Sequence, residues 1–279
     1  MTTKSKILIT GSNGFIGKNF KIFLNQSPNN EFISFNREDK ISKFYLDLEN
    51  IDFIFHIAGV NRAENQNEFK YGNIDLTNTI CESIRRYCKK NSKLIPIVYL
   101  SSTMVNKDTP YGRSKLEAEN SLKRLSEDLK FPLYIYRLPN VFGKWSRPNY
   151  NSVVATFCHK IARNQEIEIH DPHAEINLLY IDDLIKDFEK LINKKNHASC
   201  ISIINNTKTH TISVGKLAQK IYSFHKDRKS LKIDRVGNGL TRALYATYLS
   251  FLPEDSFKYS IKMHKDTRGG FAEVLKTID

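Results

Sequence analysis

The stretch KILITGSNGFIG, residues 6–17, decides the fold. A short β-type run, KILIT, passes directly into Gly11-Ser-Asn-Gly14-Phe-Ile-Gly17, and a helical pattern opens inside that loop. Strand, glycine turn and helix start in this order suit a bound pyrophosphate. The glycines let the backbone turn tightly, approach the phosphates and pack helix on strand, while free N–H groups at the helix start face the anion. Gly11, Asn13, Gly14, Phe15, Ile16 and Gly17 are therefore the expected dinucleotide cradle.

Outward from this loop, the apolar runs KILIT, EFISF, FIFHIA, PIVYLSS and LYIYRL alternate with longer segments of helical periodicity up to about residue 137. Such alternation marks βαβ units, and every gap has room for a crossover helix. The pattern predicts an α/β fold: a Rossmann-type doubly wound parallel sheet over residues 1–140, with a smaller C-terminal α/β substrate lobe over residues 141–279. Beyond Arg137 the pattern loosens. A Pro/Asn-rich stretch, LPNVFGKWSRPNYNS, leads into a helix predicted near residues 153–163. The last residues, DTRGGFAEVLKTID, read as a turn entering a strand, either an edge strand or the stub of a further domain.

Composition narrows the class. A chain of 279 residues with 40% hydrophobic content can bury one sizeable core and a second lobe. Its start has too short an apolar run for a signal peptide, and no stretch approaches the roughly 18 apolar residues of a membrane span. A cytoplasmic protein without a membrane partner is expected. Cys81, Cys88, Cys158 and Cys200 lie far apart with no CxxC pair, which points to reduced, mostly buried thiols. His170 and His173 have no third ligand nearby in sequence, so no metal is expected. The formal charge of +13 suits phosphate-bearing partners. The basic residues are scattered and lack aromatic interleaving, which argues against nucleic acid.

The second strand ends Phe35-Asn36-Arg37. An acidic residue at this point would bind a ribose 2′-hydroxyl and repel a 2′-phosphate, whereas Arg37 can hold that phosphate, favouring NADP(H) over NAD(H). Asp47-Leu48 precede the third strand, where a carboxylate can accept from the adenine amino group; Ala58 and Gly59, at its end, are small enough for close backbone approach. Further on, Tyr111-Gly-Arg-Ser-Lys115 follows Ser101-Ser102-Thr103 at a strand end. Tyr and Lys four apart share a helix face, so an ammonium can favour the ionised phenol and make it a proton donor or acceptor near neutral pH. A hydroxyl on the strand end can bond the reacting oxygen.

In order and spacing, GSNGFIG, DL, HIAG, Asn73 in YGNIDLTNT, SST and YGRSK resemble the extended short-chain dehydrogenase/reductases of the NAD-dependent epimerase/dehydratase family, which act on nucleotide sugars. The resemblance covers nearly the whole chain. It implies Tyr111 as acid/base, Lys115 on the nicotinamide ribose, Thr103 as the hydroxyl partner ahead of Ser102, and Asn73 and Ser101 in the cofactor site. It also implies sugar and diphosphate contacts from Arg137, Asn140 and Lys144, with Arg147 and Asn149 weaker candidates, and a homodimer formed through a four-helix interface that includes the Tyr111 helix. Trp145 either borders the sugar or fills a gap between the lobes, packing being the favoured reading.

The C-terminal half, from RLPNVFGKWSRPNYNSVVATFCHKIARNQEI through NLLYIDDL and LYATYLSFLP to DTRGGFAEVLKT, resembles the reductase domain of the CapF/WbjC group of capsular-polysaccharide enzymes. That likeness implies NADPH-dependent reduction of the 4-keto group of a UDP-linked 4-keto-6-deoxy-N-acetylhexosamine, on the way to N-acetyl-L-fucosamine-type precursors of capsule or O-antigen. In that group a metal-binding cupin domain follows and epimerises C3. Here the implied partner for that step is a separate cupin-type epimerase. Two rivals stand beside this reading. One is a nucleotide-sugar C4 epimerase with tightly bound NAD. The other is a non-catalytic nicotinamide-sensing or RNA-binding protein on a reductase fold, which would not need the Tyr/Lys pair. Dehydratases carry an acidic pair after the threonine, where this chain has Met104-Val105.

Overall fold

From Ile7 to Thr10 every residue of β1 (Ser5–Thr10) is buried, as a strand covered on both faces must be. The computed structural model describes residues 4–194, 196–205 and 208–277. In it, β1 leads through α1 (Phe15–Asn25) to β2 (Asn30–Phe35), and α2 (Ile41–Asp47) returns the chain to β3 (Phe53–His56). Next come α3 (Gln66–Phe69), a π-helical turn at Lys70–Asp75 and α4 (Leu76–Lys90), then β4 (Ile97–Ser102), α5 (Pro110–Leu129) and β5 (Leu133–Leu138).

These strands, with one more, form a six-stranded sheet of order β2-β1-β3-β4-β5-β8, parallel throughout. The order reverses between β1 and β3. Ligands of open α/β sheets bind beyond the strand C-termini at such a switch point, and Gly11 and Ala58 follow those two strand ends. On one face Leu8, Ile54, Ile97 and Ile135 pack against Ile80 and Ile84 of α4 and Leu122 and Leu125 of α5. On the other, Phe20 of α1 meets Phe55 with ring centroids 4.6 Å apart and Phe188 at 5.3 Å.

Phe188 belongs to α7 (Ile181–Ile192), and the sixth strand is β8 (Ile201–Ile204). Both lie beyond residue 140, so a single cut there is corrected. The first unit comprises Met1–Pro139 and Ile181–Lys208, and the second Asn140–Tyr180 and Thr209–Asp279. The cause is physical. Ile181, Leu184, Ile185 and Phe188 make α7 strongly one-sided, so it must cover a sheet. Asp182 and Asp183 stand in its first turn, favourable to the helix dipole.

The second unit holds β6 (Asn140–Phe142), α6 (Val153–Ala162), β7 (Glu175–Tyr180), β9 (Thr209–Ser213), α8 (Val214–Ser230), β10 (Lys232–Ile233) and α9 (Gly239–Leu249). β6 pairs parallel with β7, which pairs antiparallel with β9. The terminal stretch forms an antiparallel hairpin of β11 (Met263–Asp266) and β12 (Gly269–Ala272), and β13 (Lys276–Thr277) pairs with β10. Residues 278 and 279 of that stretch lie outside the described residues. Cys81 and Cys158 are buried, Cys88 is half-buried and Cys200 is exposed. Among the described residues no helix is long and apolar enough to cross a membrane.

Candidate active site

The glycine loop closes as a turn, with the Gly14 N–H donating to the Gly11 carbonyl at 3.0 Å. Gly11 has φ +67°, and a Cβ there would stand 2.7 Å from Ala58 Cα; at Gly17 it would stand 2.5 Å from the Gly11 oxygen. Only glycine fits either place. Phe15 and Ile16 are half-buried at the start of α1. Asn13 is held by its N–H, which donates to Asn36 Oδ1 at 3.2 Å, and Ser12 Oγ donates to the same oxygen at 3.1 Å. Asn36 thus joins the end of β2 to the loop, a role its sequence position alone did not reveal. Arg37 beside it is exposed.

Asp47 carries a buried oxygen, Oδ2, with no hydrogen-bond partner among the described residues, and burial raises its pKa. An acceptor in that condition suits an amino donor. Leu48, by contrast, is a core side chain beside Phe44 and Ile51, so a cofactor contact through its side chain is corrected. The cradle that a Cβ would fill and the orphaned carboxylate oxygen fit a dinucleotide.

Thr109 caps α5, its Oγ1 accepting from the Gly112 N–H at 3.0 Å, and Pro110 occupies the first turn. This fixes Tyr111 and Lys115 one turn apart. Of the side chains near the phenol, Ser102 is the one that favours its ionised form. The spacing predicts an ammonium that lowers the phenol's pKa, but in the structure burial raises it and Ser102 is what pulls it back. Ser102 rather than Thr103 is thus the hydroxyl that acts on the phenol, which leaves Thr103 for the reacting oxygen. The reason is local: Ser102 ends β4 and caps a 3-10 turn, accepting from the Met104 N–H at 3.2 Å, while Thr103 begins that turn exposed. Lys115 is 5% exposed, and burial lowers its pKa to about 7 against the opposing charge of Glu119.

Asn73 is buried in the π-helical turn, and its side chain is already committed. Nδ2 donates to the Val60 carbonyl at 3.0 Å and to Ser114 Oγ at 2.9 Å, and Oδ1 accepts from the Val60 N–H at 2.8 Å. It positions the loop after β3 rather than reaching for a cofactor. A Cβ on Gly59 would lie 2.8 Å from Asn73 Oδ1 and 3.2 Å from Lys115 Nζ, so this loop runs directly beside the ammonium.

A hydrogen-bond relay stands behind the loop. The Ala58 N–H donates to Thr10 Oγ1 (3.1 Å), Thr10 donates to His56 Nδ1 (2.8 Å), His56 Nε2–H donates to Thr77 Oγ1 (2.9 Å), and Thr77 donates to the Asn73 carbonyl (2.6 Å). Each hydroxyl has one proton, so the chain assigns His56 the neutral Nε2–H tautomer. Burial, aided by the Lys115 charge, keeps it neutral by lowering its pKa to about 3.

Ser101 and Arg137 do not face outward. Both serve Glu119, which is fully buried on α5. Ser101 Oγ donates to Oε1 at 2.6 Å, Arg137 donates from Nε at 3.0 Å and from a terminal nitrogen at 2.8 Å, and Lys123 donates at 3.2 Å. Burial opposes the charge of Glu119, but these bonds outweigh it and hold the carboxyl below its usual range. The cofactor role of Ser101 and the substrate role of Arg137 are corrected accordingly: these groups clamp α5 to the ends of β4 and β5. Glu119 was legible as the position four beyond Lys115 on the same helix face.

The remaining substrate candidates lie in the second unit. Asn140 Nδ2 donates to the Asn177 carbonyl at 3.3 Å. Lys144 Nζ lies 5.5 Å from the centroid of the Trp145 ring, and the Arg147 guanidinium 5.0 Å from that of Tyr150. Trp145 is 48% exposed with φ +66°, so it does not pack as predicted. The Asn149 N–H donates to Thr156 Oγ1 at 2.9 Å. Near His170 and His173, as elsewhere among the described residues, no group of three or more His, Cys, Asp or Glu side chains is placed to hold a metal.

With this geometry in place, a model of the NAD dependent epimerase/dehydratase family matches residues 7–205. The UDP-2-acetamido-2,6-beta-L-arabino-hexul-4-ose reductase of Pseudomonas aeruginosa is 50% identical over 275 residues, which is 98% of this chain and 72% of that protein. The crystal structure of the capsular polysaccharide assembling protein CapF from Staphylococcus aureus superposes with a TM-score of 0.84 at 36% identity, covering 98% of this chain and 72% of CapF. The UDP-glucuronic acid 4-epimerase of Bacillus cereus, solved with NAD, shares the fold at a TM-score of 0.70 and 20% identity, covering 88% of this chain and 98% of the epimerase.

Proposed function

The chain belongs to the NAD dependent epimerase/dehydratase family, and on that premise we propose that it uses NADPH to reduce the 4-keto group of a UDP-linked 4-keto-6-deoxy-N-acetylhexosamine in capsule or O-antigen precursor synthesis. The observation that carries this reading is the identity, along almost the whole chain, to the Pseudomonas reductase. A retained Tyr111/Lys115 pair beside a glycine cradle supports catalysis over a purely sensory or RNA-binding role.

Bound NADPH supplies the hydride that reaches C4. The chain's own residues do the rest. The loop from Gly11 to Gly17 and the start of α1 hold the pyrophosphate, Asp47 Oδ2 accepts from the adenine amino group, and Arg37 pairs with the 2′-phosphate. Tyr111 gives its phenolic proton to the sugar oxygen as C4 is reduced, so ketone, hydride and proton balance as alcohol. Ser102 orients the phenol, and the exposed Thr103 hydroxyl bonds the reacting oxygen. Lys115 meets the nicotinamide ribose and offsets the negative charge left on Tyr111. Arg137 is assigned no substrate contact.

If Arg37 reads the 2′-phosphate, Arg37→Ala weakens NADPH binding by about tenfold to a hundredfold, the worth of one charge-assisted hydrogen bond, and leaves NADH binding unchanged. Fluorescence titration with both cofactors checks this. Equal losses for both would remove Arg37 from the site.

The reading places the enzyme in the cytoplasm as a homodimer, with α4 and α5 supplying the interface. Within the chain, Arg85 of α4 and Asp128 of α5 are linked at 2.7 Å. A cupin-type epimerase acting at C3 is the further partner on this reading. NADPH oxidation with the keto sugar, measured with and without a separate cupin-type epimerase, tests this division. Oxidation without the epimerase is expected if the unepimerised sugar is accepted, and oxidation only with it if the two act in series. NADPH that stays unconsumed in both cases while a sugar epimer accumulates would overturn the reductase reading.

A further inference from the structure

Beneath the catalytic pair, the Lys115 ammonium lies 4.6 Å from the centroid of the Tyr99 ring. Tyr99 is on β4 and completely buried. Its hydroxyl is also buried and has no hydrogen-bond partner among the described residues, so the ring and not the hydroxyl is the part of this side chain that its neighbours use. A central strand could fill this core position equally well with an aliphatic side chain. What the aromatic adds is a π face beside a desolvated cation. We propose that Tyr99 is a positioning residue for the reduction, its ring holding the Lys115 ammonium in place and keeping it charged inside the core.

The proposal rests on the reading of Lys115 as part of the catalytic pair. The neighbours of the ammonium agree with it. His56 on β3, whose ring is 5.2 Å from that of Tyr99, is neutral and adds no competing cation. Cys81 of α4, which faces Tyr99, has a pKa raised to about 12 by burial and is uncharged. On α5 itself, Tyr111 is protonated and the Glu119 carboxylate is shared among Ser101, Lys123 and Arg137. The ring is thus a stabiliser of Lys115 that no other group claims. Burial lowers the lysine to about 7 even against the Glu119 charge, so a modest further stabiliser decides whether it is charged at neutral pH.

The test is to titrate Lys115 directly, by NMR of protein labelled with ε-13C lysine, its signal assigned through Lys115→Arg. The series comprises wild type, Tyr99→Phe, Tyr99→Leu and a trifluorophenylalanine at position 99 that keeps the shape of Phe but weakens its π face. Tyr99→Phe should titrate with wild type. The fluorinated ring and Leu should lower the midpoint by about 0.4 to 1.5 pH, the range a buried cation–π contact spans. The high-pH fall of kcat should move down by the same amount, leaving kcat about threefold to thirtyfold lower above that midpoint and restored at lower pH, which a distorted fold would not allow. A fluorinated variant with the wild-type midpoint would overturn the proposal, as would Tyr99→Phe behaving like Tyr99→Leu. If wild type turns over no keto sugar yet the midpoint falls as described, the hold of the Tyr99 ring on Lys115 stands, while the reductase reading fails and takes the role of Tyr99 in the reduction with it.

Discussion

Tyr111→Phe lowers kcat for the keto sugar by about 10^2- to 10^4-fold and leaves NADPH affinity within about twofold, the pattern of a lost proton donor. The substitution removes one oxygen from a half-buried ring whose centroid lies 5.7 Å from that of Phe69, so the fold is retained. It removes the phenolic proton that passes to the sugar oxygen, while Lys115 stays beside the Gly59 loop and Ser102 is too weak an acid to replace it. Steady-state kinetics together with cofactor titration separate the two quantities. A large loss of cofactor affinity would mean that the phenol holds the nicotinamide end rather than passing a proton.

The largest effect on stability belongs to Arg137→Met. Glu119 is fully buried, and Arg137 gives it two of its hydrogen bonds. Removing one partner of a buried ion pair costs about 3–5 kcal/mol, because the remaining charge is left in the core. Here the residual bonds from Ser101 and Lys123 place the cost at the lower end of that range. Replacing both members, as in Glu119→Leu with Arg137→Met, should recover most of the loss, since no buried carboxylate is then stranded. Urea unfolding of the two single variants and the double variant measures this. An Arg137→Met protein of wild-type stability but weakened UDP-sugar binding would return Arg137 to the substrate site.

The parallel sheet and the glycine cradle were legible because both are written in local, contiguous patterns: an apolar run, a glycine spacing and a helix start. The same holds for Tyr111 and Lys115, whose spacing is a helix turn. What the sequence left hidden is tertiary. Arg137 and Ser101 look like site residues by position, yet a buried carboxylate on the facing helix claims them both. Ser102 and Thr103 are chemically alike and adjacent, and only the 3-10 turn decides which one meets the phenol. The return of α7 and β8 to the first unit was within reach, since the apolar face of LLYIDDLIKDFEKLI needs a sheet to cover. What obscured it was the loosening of the strand–helix rhythm after Arg137, which reads as the start of a new lobe.

The central claim, that a hydride is delivered to C4 and consumed, is tested most directly with NADPH carrying deuterium at the transferred position and the UDP-linked keto sugar. The account predicts one deuterium at C4 of the product and one NADP+ released per sugar reduced. Product without deuterium, with NADPH unconsumed and a sugar epimer formed on a retained cofactor, would contradict it.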